Sequence, residues 1–380
     1  MSSDSPIVGA NPKASYLSNR VAILAAIEKV LEGGTYILGS EVSTFEEEFA
    51  SYIGSPSAVG VGSGTDAVVL ALRGCGVMPG DRVVTVSHTA VATVAAIHLA
   101  GAIPVLVDVD PATHTMDPNR LESALKNSGD KYIRAVIPVH LYGHPAAMPE
   151  LLEIAQKHGI LVIEDCAQSH GALIGTRATG SFGHAGAFSF YPTKNLGAFG
   201  DGGACVCSDP KILDQMRLVR QYGWRQRYLS EIRGMNTRLD EVQAAILRVK
   251  LGSLDASNNR RREIAGVYSA RLRDTGLQLP IERSGCHHVF HQYVVRTPQR
   301  DALRSFLQQR GVMAAVLYPV PVHLQAAYDN CIEIGPGGLS TTEQLCREVL
   351  SLPLYPELSD EAVDKVCDLI LEFASTNALS

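Results

Sequence analysis

Three stretches combine residue types that can do chemistry. In VGVGSGTDAVVLAL (59–72) a strand-like run enters a glycine-rich turn, and a helix opens at Thr65–Asp66. A helix N-terminus presents unpaired amides and the positive end of a dipole, which suits a phosphate. Gly62 and Gly64 let the backbone approach closely, and Ser63 and Thr65 add hydroxyl donors. Taken alone, a tight turn with a Thr/Asp cap and no ligand accounts for this motif equally well. A dinucleotide fingerprint fits poorly. The GxGxxG spacing from Gly60 needs glycine at 65, where Thr stands. No acidic residue closes a second strand about 20 residues on.

The second stretch is ILVIEDCAQSHGA (160–172), where Asp165 stands at the carboxyl end of an apolar strand. Open α/β sheets bind ligands at that edge. A carboxylate there needs a cation or hydrogen-bond donors; a helix cap or an Arg partner is the plain alternative. The third is GAFSFYPTKNLGAFGDGGACV (186–206), with Lys194 in a loop flanked by Phe188, Phe190, Tyr191, Leu196 and Phe199. A loop lysine is usually a solvated charge. Apolar neighbours disfavour the ammonium form and leave a nucleophilic amine. Ser189 adds a further phosphate contact. A phosphate cradle, a strand-end carboxylate and a nucleophilic lysine together match pyridoxal 5′-phosphate (PLP), which carries a phosphate, a pyridine nitrogen and an aldehyde.

The elements that must position these groups are legible too. Seven short apolar runs, at 58–61, 82–86, 104–109, 133–139, 160–165, 185–190 and 203–208, are separated in several places by helical patterns such as TDAVVLALRG and MPELLEIAQKHG. This predicts an α/β fold: a mostly parallel sheet of about seven strands between helices, with one strand open to an antiparallel place. From Asn236, the spacing of Leu239, Val242, Ile246 and Val249 predicts one long helix running to about residue 272. The expected division is a large domain over 1–255 and a smaller C-terminal α/β domain over 256–380. In the latter, strand-like HHVFHQYVVR and VMAAVLYPV, two helices and a loop at 333–343 are expected.

The chain of 380 residues has a net charge of −6, which gives no basic footprint for nucleic acid. No run approaches the ~18 apolar residues of a membrane span. The first twenty residues hold no apolar signal segment. The eight cysteines include no CxxC pair, so reduced thiols in a cytoplasmic protein are expected. His287, His288 and His291 lack a ligand companion at metal spacing, and no metal is expected.

The chain resembles the DegT/DnrJ/EryC1/StrS nucleotide-sugar aminotransferases, within the fold-type I PLP-dependent transferases. The resemblance rests on YILGSEVSTFEEEFASYIG (36–54), VGSGTDA (61–67), GAIPVLVDVDPATHTMDP (101–118), VHLYGHPAAM (139–148), VIEDCAQSHGA (162–172), FSFYPTKNLGAFGDGGA (188–204) and GMNTRLDEVQAAIL (234–247). It implies that Lys194 is the Schiff-base lysine and that Asp165 faces the pyridine nitrogen. It further implies that Gln168 meets the ring 3-hydroxyl, Ala167 packs on the ring, and Gly64, Thr65 and Ser189 hold the phosphate. Asn236 resembles a residue that a neighbouring subunit contributes, so a homodimer with shared sites is implied. The family often has an aromatic residue where this chain has Ala90; His88 is the expected substitute on the ring face.

The segment 217–238 carries six Arg against one Glu. Guanidinium groups with Trp224 suit a nucleoside diphosphate-sugar, while a salt-bridged surface with Trp224 as packing is the alternative. Trp224, Arg225, Tyr318 and His323 are the expected substrate contacts. YGWRQRY followed by GMNTRLDE resembles members that aminate C3 of dTDP-3-keto-6-deoxyhexoses with L-glutamate as donor. Amination of a 4-keto-sugar nucleotide and a non-catalytic PLP-binding regulator are the alternatives.

Overall fold

The computed structural model describes residues 6–129 and 132–377. The strands that matter here are β1 Ala58–Val61, β2 Arg82–Val86, β3 Ile103–Val107, β4 Ile133–Val136, β5 Leu161–Asp165, β6 Ala185–Ser189, β7 Gly203–Val206, β8 Tyr293–Arg296, β9 Glu333–Ile334 and β10 Val349–Leu352. The helices that matter here are α1 Gly64–Gly74, α2 Val91–Leu99, α3 Glu241–Leu251, α4 Leu254–Leu272, α5 Arg300–Gln309 and α6 Asp360–Thr376. All seven expected strands form. They make an eight-stranded sheet in the order β1-β7-β6-β5-β4-β2-β3-β9. The pairings are parallel except at β7, which runs antiparallel to both β1 and β6.

The strands are buried on both sides because side chains alternate along each one. Val83, Ala135 and Ile163 enter one apolar cluster with α1, while their neighbours Val84, Val136 and Val162 enter another on the opposite face. Parallel β5 and β6 and the equally directed β1 bring their carboxyl ends to one edge. There Val61 and Ser189 both pair with Gly203. That register sets the start of α1 beside the end of β6.

The sequence misjudges three elements. The expected long helix is two: α3 ends at Leu251 and α4 begins at Leu254, across Gly252–Ser253. Leu239 precedes α3. α3 buries Ala244, Ala245, Ile246 and Leu247; of the expected stripe, Leu239 and Ile246 are buried, while Val242 and Val249 are half-buried. The stretch 312–320 forms isolated bridges, Ile7 to Val312 and Ala315 to Ser351, in place of a strand. The expected loop at 333–343 opens instead with β9, which joins the edge of the large sheet beside β3.

From Ile264 onward, α4 packs with α5, α6, β8 and β10 in a separate apolar cluster. Among the described residues no helix is long and apolar enough to cross a membrane.

Candidate functional site

The cradle forms first. Ser63 caps α1, its Oγ accepting from the Asp66 amide at 3.1 Å. Thr237 fixes the turn from behind: its Oγ1 accepts from the Gly62 amide and donates to Asp66 Oδ2, both at 2.9 Å. Gly64 lies so close to β6 that a Cβ there would stand 2.4 Å from Ser189 Cβ. Thr65 is half-buried in the first turn of α1. A helix N-terminus of this kind suits a phosphate.

Asp165 ends β5 and is 5% exposed. Its Oδ2 accepts from Thr93 Oγ1 at 2.8 Å, and its Oδ1 accepts from the Ala167 amide at 3.1 Å. These bonds aim a buried carboxylate without neutralising it. Thr93 is a residue sequence reasoning missed; the signal was a hydroxyl in the first turn of the helix that follows β2.

Gln168 accepts from the Tyr142 amide at 2.7 Å and donates to the Tyr318 hydroxyl at 3.1 Å. Tyr318, expected at the substrate, therefore stands against Gln168. Burial pushes its phenol up to about 12. Lys194 occupies the loop after β6. Burial pulls its amine from 10.5 down to about 8, with the Asp165 carboxylate opposing the fall. His170 and His291 flank the lysine and stay neutral. Burial, then the lysine's charge, takes His170 down to about 3 and His291 well below its ordinary value.

Other expected contacts stand elsewhere. His88 has no accessible surface. Its Nε2 meets the Tyr142 hydroxyl at 3.0 Å and its Nδ1 meets Cys346 Sγ at 3.5 Å. It has no free face to lay on a ring, which corrects the expectation. His323 spends Nδ1 on Ser87 at 2.8 Å, and its Nε2 lies 3.4 Å from Glu343. Arg225 forks onto Asp214 at 2.8 and 3.1 Å and onto Glu231 at 3.1 Å, the salt-bridged arrangement. Trp224 packs between Tyr222 and Tyr228, with ring centroids 4.9 and 5.4 Å away. Asn236 is exposed and bridges Gln221, next to the buried Thr237 that braces the cradle.

One group with metal-ligating atoms comes together among the described residues: His140, Glu164 and Cys166. Glu164 is already occupied. It accepts from His140 Nε2 at 3.0 Å and from the amides of Gly180, Phe182 and Gly183 at 2.7–2.8 Å. The carboxylate ties β5 to the loop before β6 and serves as a structural node.

The sequence pattern of the DegT/DnrJ/EryC1/StrS aminotransferases matches residues 18–371. The chain belongs to that family. A dTDP-3-amino-3,4,6-trideoxy-alpha-D-glucose transaminase of Streptomyces venezuelae is 46% identical over 95% of this chain and 94% of its own. The erythromycin biosynthesis sensory transduction protein EryC1 of Saccharopolyspora erythraea is 45% identical over 93% and 96%. DesV of S. venezuelae, solved in complex with a ketimine intermediate, superposes with a TM-score of 0.93 at 45% identity, covering 97% of this chain and 99% of that one.

The cradle of this aminotransferase is open to a direct test. Alanine at Gly64 relieves a helix of glycine, worth about 1 kcal/mol in its favour. The clash with Ser189 opposes that gain, because backbone atoms of β6 must give way. Gly64→Ala is expected to cost about 1–3 kcal/mol net. It should also weaken PLP binding at least tenfold, read by absorbance titration of the cofactor-free protein. Unchanged affinity would remove Gly64 from the phosphate site.

Proposed function

We propose that this aminotransferase uses PLP to transfer the amino group of L-glutamate to a keto-sugar nucleotide, a dTDP-3-keto-6-deoxyhexose aminated at C3. The observation that carries the reading is the convergence at one sheet edge of the Gly64–Thr65–Ser189 cradle, the Asp165 carboxylate and the desolvated Lys194 amine. The 45–46% identity to a 3-amino-sugar transaminase and to the ketimine-bound DesV supports it. The protein works as a cytoplasmic homodimer in which Asn236 serves the neighbouring site.

The residues fit PLP. Gly64, Thr65 and Ser189 would hold its phosphate, Asp165 its ring nitrogen, Gln168 its 3-hydroxyl, and Ala167 would pack on the ring. When bound, PLP supplies an aldehyde that captures amines and a ring that accepts electron density. Lys194 would hold the cofactor through its amine and, once freed, would take a proton from the donor's carbon in one half-reaction and give one to the acceptor's carbon in the other, as a general acid–base. Asp165 keeps a negative charge where the ring nitrogen must retain its proton. Gln168, fixed by Tyr142 and Tyr318, orients from the side.

The test is the visible spectrum of the purified protein. L-glutamate is expected to bleach the lysine-bound band, and a 3-keto-sugar nucleotide, more than a 4-keto isomer, to restore it. Restoration by the 4-keto isomer alone would reassign the acceptor. A band that no amino acid bleaches would favour a non-catalytic regulator.

A further inference from the structure

Lys194 lines a second, small cavity of about 50 Å³, enclosed by residues of the 10–19 segment, the Lys194 loop, the junction of α3 and α4, and the Tyr355–Glu357 turn. Lys250 and Arg261 line it as well. Both are buried, at 8% and 6% exposure. Lys250 Nζ donates to the Gly197 carbonyl and lies 5.0 Å from the centre of the Phe199 ring. Arg261 Nη1 donates to the carbonyls of Leu354 at 3.0 Å and Phe290 at 3.5 Å, while its buried Nε–H has no partner. Among the described residues neither cation has a carboxylate within ion-pair distance. The one acidic side chain lining the cavity is Glu357, on an exposed turn.

Glu357 acts on both cations from beyond ion-pair distance, so one exposed carboxylate faces two buried positive charges, and the carbonyl dipoles do not neutralise the second. An unfilled donor beside a polar cavity points to an anion as the missing partner. The volume is several times the ~15 Å³ of probe space that one water needs. It is wide enough to admit a carboxylate group. We infer that Lys250 and Arg261 form a subsite for a carboxylate of the amino donor, held next to the Lys194 loop. The inference rests on the transaminase reading for the donor's identity, and on the cavity alone for the chemistry of the ligand.

The experiment has two readouts. One is the L-glutamate concentration that half-bleaches the absorption band of the holoenzyme. The other is the rise in melting temperature that glutarate, which has both carboxylates and no amine, gives the cofactor-free protein. Lys250→Met keeps the packed stem and removes the charge; Ser257→Leu fills the cavity from α4 and leaves both cations. In each variant the half-bleaching concentration is expected to rise at least tenfold, with the rate at saturation changed less than threefold. The glutarate shift seen in the wild type should disappear, while amination of the keto-sugar from the pyridoxamine form stays intact. Unchanged glutamate dependence in both variants would overturn the subsite and leave the transaminase standing. A wild type stabilised by glutarate, through Lys250, but never bleached by glutamate would keep the subsite and discard the donor. No glutarate effect on the wild type would overturn the subsite outright.

Discussion

Lys194→Ala is expected to abolish turnover, with a loss of at least about 10⁴-fold, the upper range for removing a positioned acid–base group. The variant loses both the covalent hold and the proton carrier. It should still bind PLP through the cradle and Asp165, so a bound cofactor with no lysine-linked band is the expected spectrum. Added methylamine should restore part of the proton transfer, because a small amine fits the space the side chain vacates. Loss of cofactor along with activity, and no rescue, would mean that Lys194 is structural.

The same lysine gives a pH signature. Burial lowers its amine to about 8 from 10.5. Above the lower value the free amine is available, so the rate at which cofactor-free protein captures PLP should rise with pH through about 8 and then level. Stability follows the same group. Between about 8 and 10.5 the unfolded chain binds the proton that the folded chain has released at this lysine, so the lysine's contribution to folding stability rises with pH across that window. In cofactor-free Lys194→Met that part of the rise should vanish. Lys250, which burial likewise takes to about 8, adds to the rise, and the buried thiols of Cys75, Cys166 and Cys205, which burial pushes up from 9, oppose it.

The sheet was legible because a strand buried on both faces announces itself as a continuous apolar run. Seven such runs were enough to expect the parallel sheet and an antiparallel member. β9 escaped notice because it is two residues long. A strand so short carries no pattern; its place depends on pairing with β3 and on Arg82, whose guanidinium reaches Glu333 at 2.9 Å. The break between α3 and α4 was readable from Gly252–Ser253, a pair that ends one helix and starts another. The period of Leu239, Val242, Ile246 and Val249 outweighed it, although tertiary packing buries only Leu239 and Ile246 of these, together with Ala244, Ala245 and Leu247.

The site divides in the same way. Lys194, Asp165 and the Gly64 turn could be read because each needs a residue type at a place the local pattern supplies. Orientation could not be read. Thr93 reaches Asp165 across 72 positions, and His88 is turned toward Cys346 by a contact spanning 258. Arg225 looked available for phosphate until Asp214 and Glu231 were placed beside it. A side chain's type is local, but the direction in which it points is decided by partners far away in the chain.

Asp165→Asn is expected to lower kcat by about 10²–10³-fold, the range for losing one preorganised electrostatic group, with a smaller change in KM. Asparagine keeps an oxygen for the Ala167 amide and fits the space beside Thr93, so the fold and cofactor binding should survive. What disappears is the charge proposed to keep the ring nitrogen protonated. The carboxylate also supports the ammonium form of Lys194, so removing it should lower the lysine further. The pH dependence of PLP capture must then shift to lower pH, below the wild-type midpoint near 8. Thr93→Val separates the two contributions. It deletes the 2.8 Å hydrogen bond and leaves the charge, so it should cost about 10- to 100-fold, the ordinary net worth of one hydrogen bond to a charged group, and less than Asp165→Asn. Equal losses in the two variants would make the orientation of Asp165, and not its charge, the source of its effect. A midpoint that stays put in Asp165→Asn would show that the carboxylate and the amine do not sense each other, and the single site argued from them would come apart.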